Sequence, residues 1–201
     1  MLIGSHLILH GYGHWFANDL RRSGSTEIRE EKFETLGPIH FGRKRIQPPR
    51  EQLKKFWREA EALLKFEPQW FDDRIRKLIA DSFAQLITVA GYTVWACAIL
   101  KNHAHLMVRR HRDDPEKIWG RLAEVSRDAI RAAQIVIPEH PVWSLRPYQV
   151  YCNTKVEVVD RIDYVEQNPE KEGLPPQHYD FVKEYDGWTP PKIVLVKKRK
   201  R

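Results

Sequence analysis

Apolar and polar positions change period several times along the chain, and each change predicts an element. Residues 6–12 (HLILHGY) have an aliphatic centre and run into Gly11 and Gly13, the pattern of a strand entering a glycine-loosened loop. Residues 17–50 turn polar and hold Gly24, Gly37, Gly42, Pro38, Pro48 and Pro49, which predicts a long loop or insertion. Helical spacing resumes with Leu53, Phe56, Trp57, Ala60, Leu63 and Leu64 and is interrupted at Pro68. It returns over residues 70–90, with Ile75, Leu78, Ile79, Phe83, Leu86 and Ile87 on one face and Gly91 closing it.

Residues 92–100 (YTVWACAIL) are almost continuously apolar and strand-forming, as in a strand buried on both faces. Lys101 and Asn102 separate them from the alternating stretch 103–109 (HAHLMVR), which predicts a β-hairpin. Asp114 and Pro115 open a helix striped by Ile118, Leu122, Val125 and Ala129 that ends before Pro138. Residues 145–152 fit a last strand, and Thr154 with Glu157 forms a capping box starting a helix that runs to Pro169. The order predicts an α+β fold, a ferredoxin-like antiparallel sheet with helices packed on one face and the 103–109 segment on a central strand.

Composition narrows the class. At 201 residues and 42% hydrophobic, the chain has enough apolar surface for one core, so residues 1–190 are expected to form a single domain and 191–201 a basic tail. No apolar run approaches the roughly 20 residues that span a bilayer, and the start lacks a signal pattern, so a soluble, cytoplasmic protein with no membrane partner is expected. Two cysteines exclude a disulfide framework and a cysteine-based zinc site. The net charge is +7, but Lys197, Lys198, Arg199, Lys200 and Arg201 carry five of it, leaving +2 for the rest. Affinity for nucleic acid therefore has to come from a site and not from bulk charge.

The chemistry starts at His103 and His105. Two apart on a strand, their imidazoles share one face with Met107, while Ala104, Leu106 and Val108 share the other, which suits packing on helices. Two neutral imidazoles so placed can bind a divalent cation, with a third ligand from elsewhere. In the last helix, Val158, Val159, Ile162 and Val165 form a stripe expected to face the core; Tyr164 and Asn168 lie off it, one turn apart, beside Arg161 and Glu157. Asn168 also precedes Pro169, a helix-ending position where Asn is common. Two histidines and a side-chain carbonyl oxygen make an open site suited to Mg²⁺ or Mn²⁺ on phosphate oxygens, with the tyrosine as a nucleophile on phosphorus.

The stretch from Ile99 to Leu106 (ILKNHAHL) resembles the histidine-hydrophobic-histidine (HUH) signature of the IS200-like single-tyrosine transposases. Tyr164 to Pro169 (YVEQNP), followed by Lys171-Glu-Gly-Leu174, is similar to a segment of the branch called REP-associated tyrosine transposases, and Tyr12-Gly-His-Trp with Asn18-Asp19 looks like the opening of some members. Lys101 stands where proline is usual, Ala104 replaces a larger aliphatic residue, and His14 sits where threonine is common. The resemblance implies that His103, His105 and Asn168 hold the metal, with Gln167 as an alternative ligand, and that Tyr164 attacks single-stranded DNA to leave a 5′-phosphotyrosine link and a free 3′-hydroxyl.

Such enzymes recognise short DNA hairpins at element ends, partly through unpaired bases, so DNA contacts are expected from His10, Tyr12, His14, Trp15, Arg21, Arg22, Arg109 and Arg110. For Trp15 the alternative is a core position, and for the arginines a solvated surface; the run Arg43-Lys44-Arg45 is a phosphate contact or a solvated loop. The resemblance implies a monomer or a homodimer. Two other readings stay open: a host-adapted, non-catalytic protein that binds DNA hairpins, and a metal-dependent hydrolase without a covalent tyrosine.

Overall fold

The computed structural model describes residues 1–21, 23–42, 45–145 and 148–191. Strand β1 (Gly4–His10) is followed by helices α1 (Arg50–Ala62) and α2 (Asp73–Ala90), the β-hairpin β2 (Val94–Ile99) and β3 (His103–Arg109), helix α3 (Pro115–Ala132), strand β4 (Tyr148–Cys152), helix α4 (Lys155–Glu166) and a single turn, α5 (Asn168–Lys171). The four strands form one antiparallel sheet in the order β2-β3-β1-β4, the ferredoxin-like arrangement, with β3 and β1 inside. No helix among the described residues is long and apolar enough to cross a membrane.

Strand alternation divides the sheet into two different faces. Leu7 and Leu9 of β1 and Ala104, Leu106 and Val108 of β3 point into the main core, where α2 contributes Ile75, Ile79 and Phe83 and α3 contributes Ile118, Leu122 and Ile130. These are the helices expected on one face. The opposite face carries Met107, Ala96 and Ala98 under Val158 and Val165 of α4, so α4 adds a partial cover on that side. Both long helices start as their sequences dictate: Asp72 accepts from the Ile75 amide at 2.8 Å, and Asp114, with Pro115 following, accepts from the Lys117 amide at 2.8 Å. Gly91 closes α2 in the left-handed conformation (φ 72°).

Several boundaries differ from the sequence reading. Strand β1 starts at Gly4 and leaves the ladder after His10. Helix α2 begins at Asp73 because Asp72 is its cap. The described part of the 17–50 segment packs on a separate small core, in which Phe16, Phe56 and Ala60 pack with Phe33 and Trp57, and it contains a 3₁₀ turn at Glu31–Leu36. Helix α1 packs on this insertion. Val159, expected in the stripe of α4, is 43% exposed: it lies about 100° round the helix from Val158, and one helix flank is all that this half-covered face needs. Arg43 and Lys44, and most of the 191–201 tail, lie outside the described residues.

Candidate functional site

The β1–β3 register builds a cluster of four histidines on the α4 side of the sheet. His10 pairs with His103 and Ile8 with His105, while His6 sits opposite Met107 and hence diagonal to His105. The rings of His103 and His105 are 4.7 Å apart, those of His10 and His103 5.9 Å, and those of His6 and His105 5.0 Å and stacked. His6 Nε2 and His105 Nδ1 share a hydrogen bond of 2.9 Å, and His103 Nδ1 donates to Asn102 Oδ1 at 2.7 Å. The turn that presents Asn102 is fixed in part by Gly11, whose amide donates to the Asn102 carbonyl at 2.7 Å. A Cβ there would stand 2.9 Å from that oxygen and 2.8 Å from the Gln69 carbonyl, so only glycine lets the chains approach so closely.

Burial keeps the cluster uncharged. Desolvation, reinforced by the neighbouring imidazoles, lowers His10 to about 3 and His103 to about 4, and holds His105 well below the ordinary histidine value. His6 falls to about 4 through burial, then through the Arg161 guanidinium and His103. Neutral imidazoles are the form that binds metals. The atom pattern fits a cation as well: His105 Nε2 is buried without a partner, and His103 has its Nδ1 engaged, which leaves Nε2 as its free nitrogen. Among the described residues no group of three His, Cys, Asp or Glu stands at metal-binding spacing, so a third protein ligand has to be a different side chain.

Helix α4 lays Tyr164 over this cluster, its ring 5.7 Å from His105 and 5.8 Å from His6, both edge-on. Tyr164 is 41% exposed, and its hydroxyl makes no hydrogen bond among the described residues. Lys171 Nζ lies 5.3 Å from the ring centre. The helix is held at its start by the expected capping box, in which Thr154 accepts from the Glu157 amide and Glu157 accepts from the Thr154 amide. Asn168 begins α5, is buried, and donates through Nδ2 to the Tyr164 carbonyl at 2.7 Å, which leaves its Oδ1 as the free amide atom. Gln167, the alternative ligand, is an exposed helix-capping residue. Arg161, on the same flank of α4, forms no ion pair among the described residues.

The residues expected to touch DNA lie in separate places: His10, Tyr12 and Trp15 gather at the exit of β1, and Arg109 and Arg110 stand at the far end of β3. His10 stacks on Trp15 at 4.3 Å with the rings 8° from parallel, and Trp15 is 47% exposed, so it is not a core residue. Tyr12 is half-buried against Phe66 and His140, its hydroxyl accepting from the Lys65 amide, and His14 Nε2 donates to the Gln69 carbonyl. Arg21 is paired with Asp19 at 2.7 Å and lies over Trp57; Arg22 lies outside the described residues. Arg109, over Trp188, and Arg110 sit at the far end of β3, roughly 20 Å of strand away from His103. His6 was absent from the candidates. The signal was present, because His6 and His10 fall on one face of the same strand by the alternation that paired His103 with His105.

No family model matches this chain, and no curated protein does. It is similar to a solved structure of a REP-associated tyrosine transposase bound to a REP hairpin, at 10% identity and a TM-score of 0.48, over 87% of this chain and 72% of that one. The likeness is distant, and the chemistry of the present chain has to be drawn from its own side chains.

Proposed function

We propose that this chain is a metal-dependent enzyme that cuts and rejoins single-stranded DNA through a covalent bond to Tyr164. The observation that carries the reading is a half-exposed tyrosine, its hydroxyl unpaired among the described residues, whose ring stands 5.7 Å from the buried, neutral His105, itself 4.7 Å from the neutral, partly buried His103. Such a pair is metal-ready, and a phenol beside it is a nucleophile in search of an electrophile.

In this reading His103, His105 and the Asn168 amide oxygen hold Mg²⁺ or Mn²⁺. A bound cation supplies Lewis-acid polarisation of a phosphate oxygen. The oxygen of Tyr164 forms the new bond to phosphorus as the bond to the 3′ oxygen breaks; the phenolic proton passes to water, and the departing 3′ oxygen takes one up. The DNA is left joined through its 5′ phosphate to Tyr164, and reversal with a different 3′-hydroxyl joins new ends. Arg161, free of any carboxylate among the described residues, neutralises phosphate charge beside the cluster. Binding at DNA hairpins belongs to the same proposal.

The test is incubation of the purified protein with labelled single-stranded oligonucleotides carrying hairpins from its own genomic flanks, with Mn²⁺ or Mg²⁺, followed by denaturing gels. A metal-dependent adduct that survives denaturation and is lost in Tyr164→Phe and in His103→Ala is expected. Cleavage that persists in Tyr164→Phe would assign the site to a hydrolase without a covalent tyrosine, and hairpin binding with no adduct would assign it to recognition alone.

A further inference from the structure

Lys101 and Asn102 form the turn of the β2–β3 hairpin, which the Leu100 amide closes by donating to the His103 carbonyl at 2.7 Å. The turn is tied to its surroundings on several sides. The Lys101 carbonyl accepts from the Phe71 amide, just ahead of α2, at 2.6 Å, the Asn102 carbonyl accepts from Gly11, and the Asn102 side chain accepts from the His103 ring. The Lys101 side chain leaves the sheet altogether: its Nζ donates to the Glu172 carbonyl at 2.9 Å. Proline, usual at this position in the resembled family, has no group that could make that bond.

Glu172 caps the end of α5, and its carbonyl is one of those that a helix C-terminus leaves open and a lysine can satisfy. From there the hydrogen bonds continue to the tyrosine. The Glu172 amide donates to the Asn168 carbonyl at 3.2 Å, and Asn168 Nδ2 donates to the Tyr164 carbonyl. One chain of contacts therefore runs from the His103 ring through Asn102 and Lys101 to Glu172, Asn168 and Tyr164. A single helical turn such as α5 does not hold its own place. Its segment is fastened again further on, where the Gln177 side chain bridges the amide and the carbonyl of Ile99 at 2.8 Å each.

We propose that Lys101 is a positioning residue, a clasp between the turn that carries His103 and the short helix that carries Asn168, which sets the spacing of the histidine pair, the Asn168 oxygen and Tyr164. The proposal rests on the metal-dependent reading above and adds to it a residue that touches neither metal nor DNA. Lys101 lies at the surface, so its bond adds little to the stability of the fold, and Gln177 still holds the segment when it is gone. What its loss changes is the pose of α5, and a small misplacement of reacting groups lowers the rate of the chemical step and leaves substrate binding intact.

Full-length wild type, Lys101→Met and Lys101→Arg are compared in adduct formation with the hairpin oligonucleotides, in manganese binding by calorimetry and in urea unfolding. In Lys101→Met the rate at saturating oligonucleotide is expected to fall about three- to tenfold and manganese binding to weaken by a similar factor. The oligonucleotide concentration giving half the maximal rate and the urea midpoint are expected to stay close to wild type, and Lys101→Arg, which keeps a donor, recovers most of the loss. Unchanged rate and manganese affinity in Lys101→Met overturn the clasp. So does a loss confined to the oligonucleotide concentration, which would make Lys101 a phosphate contact, and so does a loss that follows the urea midpoint and is not recovered by arginine. If wild type forms no adduct but binds manganese, the DNA reading is overturned and the clasp is decided by manganese affinity alone. Wild type that binds no manganese overturns both.

Discussion

Replacing His6 by leucine isolates what one fully buried histidine does for another, His105. His6 is inaccessible, stacked on His105, and shares with it a 2.9 Å hydrogen bond. A metal on His105 Nε2 requires that the proton sit on His105 Nδ1 and be donated to His6 Nε2, so His6 selects the tautomer. Leucine has a similar size and leaves little void, but it strands the Nδ1–H of a residue only 2% exposed. An unsatisfied buried donor costs about 1–3 kcal/mol, which is the expected loss of unfolding free energy in urea titrations. Loss of an orienting partner of a metal-bound histidine weakens metal binding about 10- to 100-fold. Manganese binding followed by calorimetry, with nitrogen-15 spectra of the imidazoles to read the tautomer, measures both. His6→Gln, which keeps an acceptor at the same reach, is expected to recover most of the loss. Wild-type manganese affinity and an unchanged His105 tautomer in His6→Leu would refute the reasoning.

Asn168→Ala is expected to weaken manganese binding by about tenfold or more, whereas Gln167→Ala, at an exposed cap, leaves it unchanged; the reverse result would exchange the two as ligands. Thr154→Ala removes the acceptor for the Glu157 amide and is expected to cost about 1 kcal/mol, with faster amide exchange in the first turn of α4 and little change elsewhere. Asp113 is held at about 2, below its ordinary 3.8, by hydrogen bonds from Lys117 and Tyr92. A depressed carboxylate stabilises the fold above its unfolded value and loses that contribution as pH falls through the folded one. Asp113→Asn should therefore unfold at lower urea than wild type at pH 7, with the gap closing between pH 3.8 and about 2; a gap constant across that window would show that the charge is not its source.

The elements with their own local logic were legible in the chain. Asp114 and Pro115, the box of Thr154 with Glu157, and the alternation of residues 103–109 each fix a backbone conformation through neighbours a few residues away, and they lie where the spacing put them. The shared face of His103 and His105 and the place of Tyr164 off the apolar stripe were legible for the same reason, since faces of a strand or helix follow from period alone. Val159 was misread because period gives a direction but not the width of what covers it.

What only tertiary structure decided is which faces meet. The register of β1 against β3 turns two separate His-x-x-x-His and His-x-His patterns into one cluster and makes His6 the partner of His105, a pairing across 99 positions of sequence. The same sheet separates Arg109 and Arg110 from His103 by a strand's length, although the sequence sets them only a few residues apart. The sequence by itself determined the kinds of side chain available and the local face each one takes, because those depend on short-range sterics and hydrogen bonds. The closeness of Tyr164 to His105 and the neutrality of the four imidazoles depend on long-range packing and on the desolvation it brings, which exist only once the strands and α4 have come together.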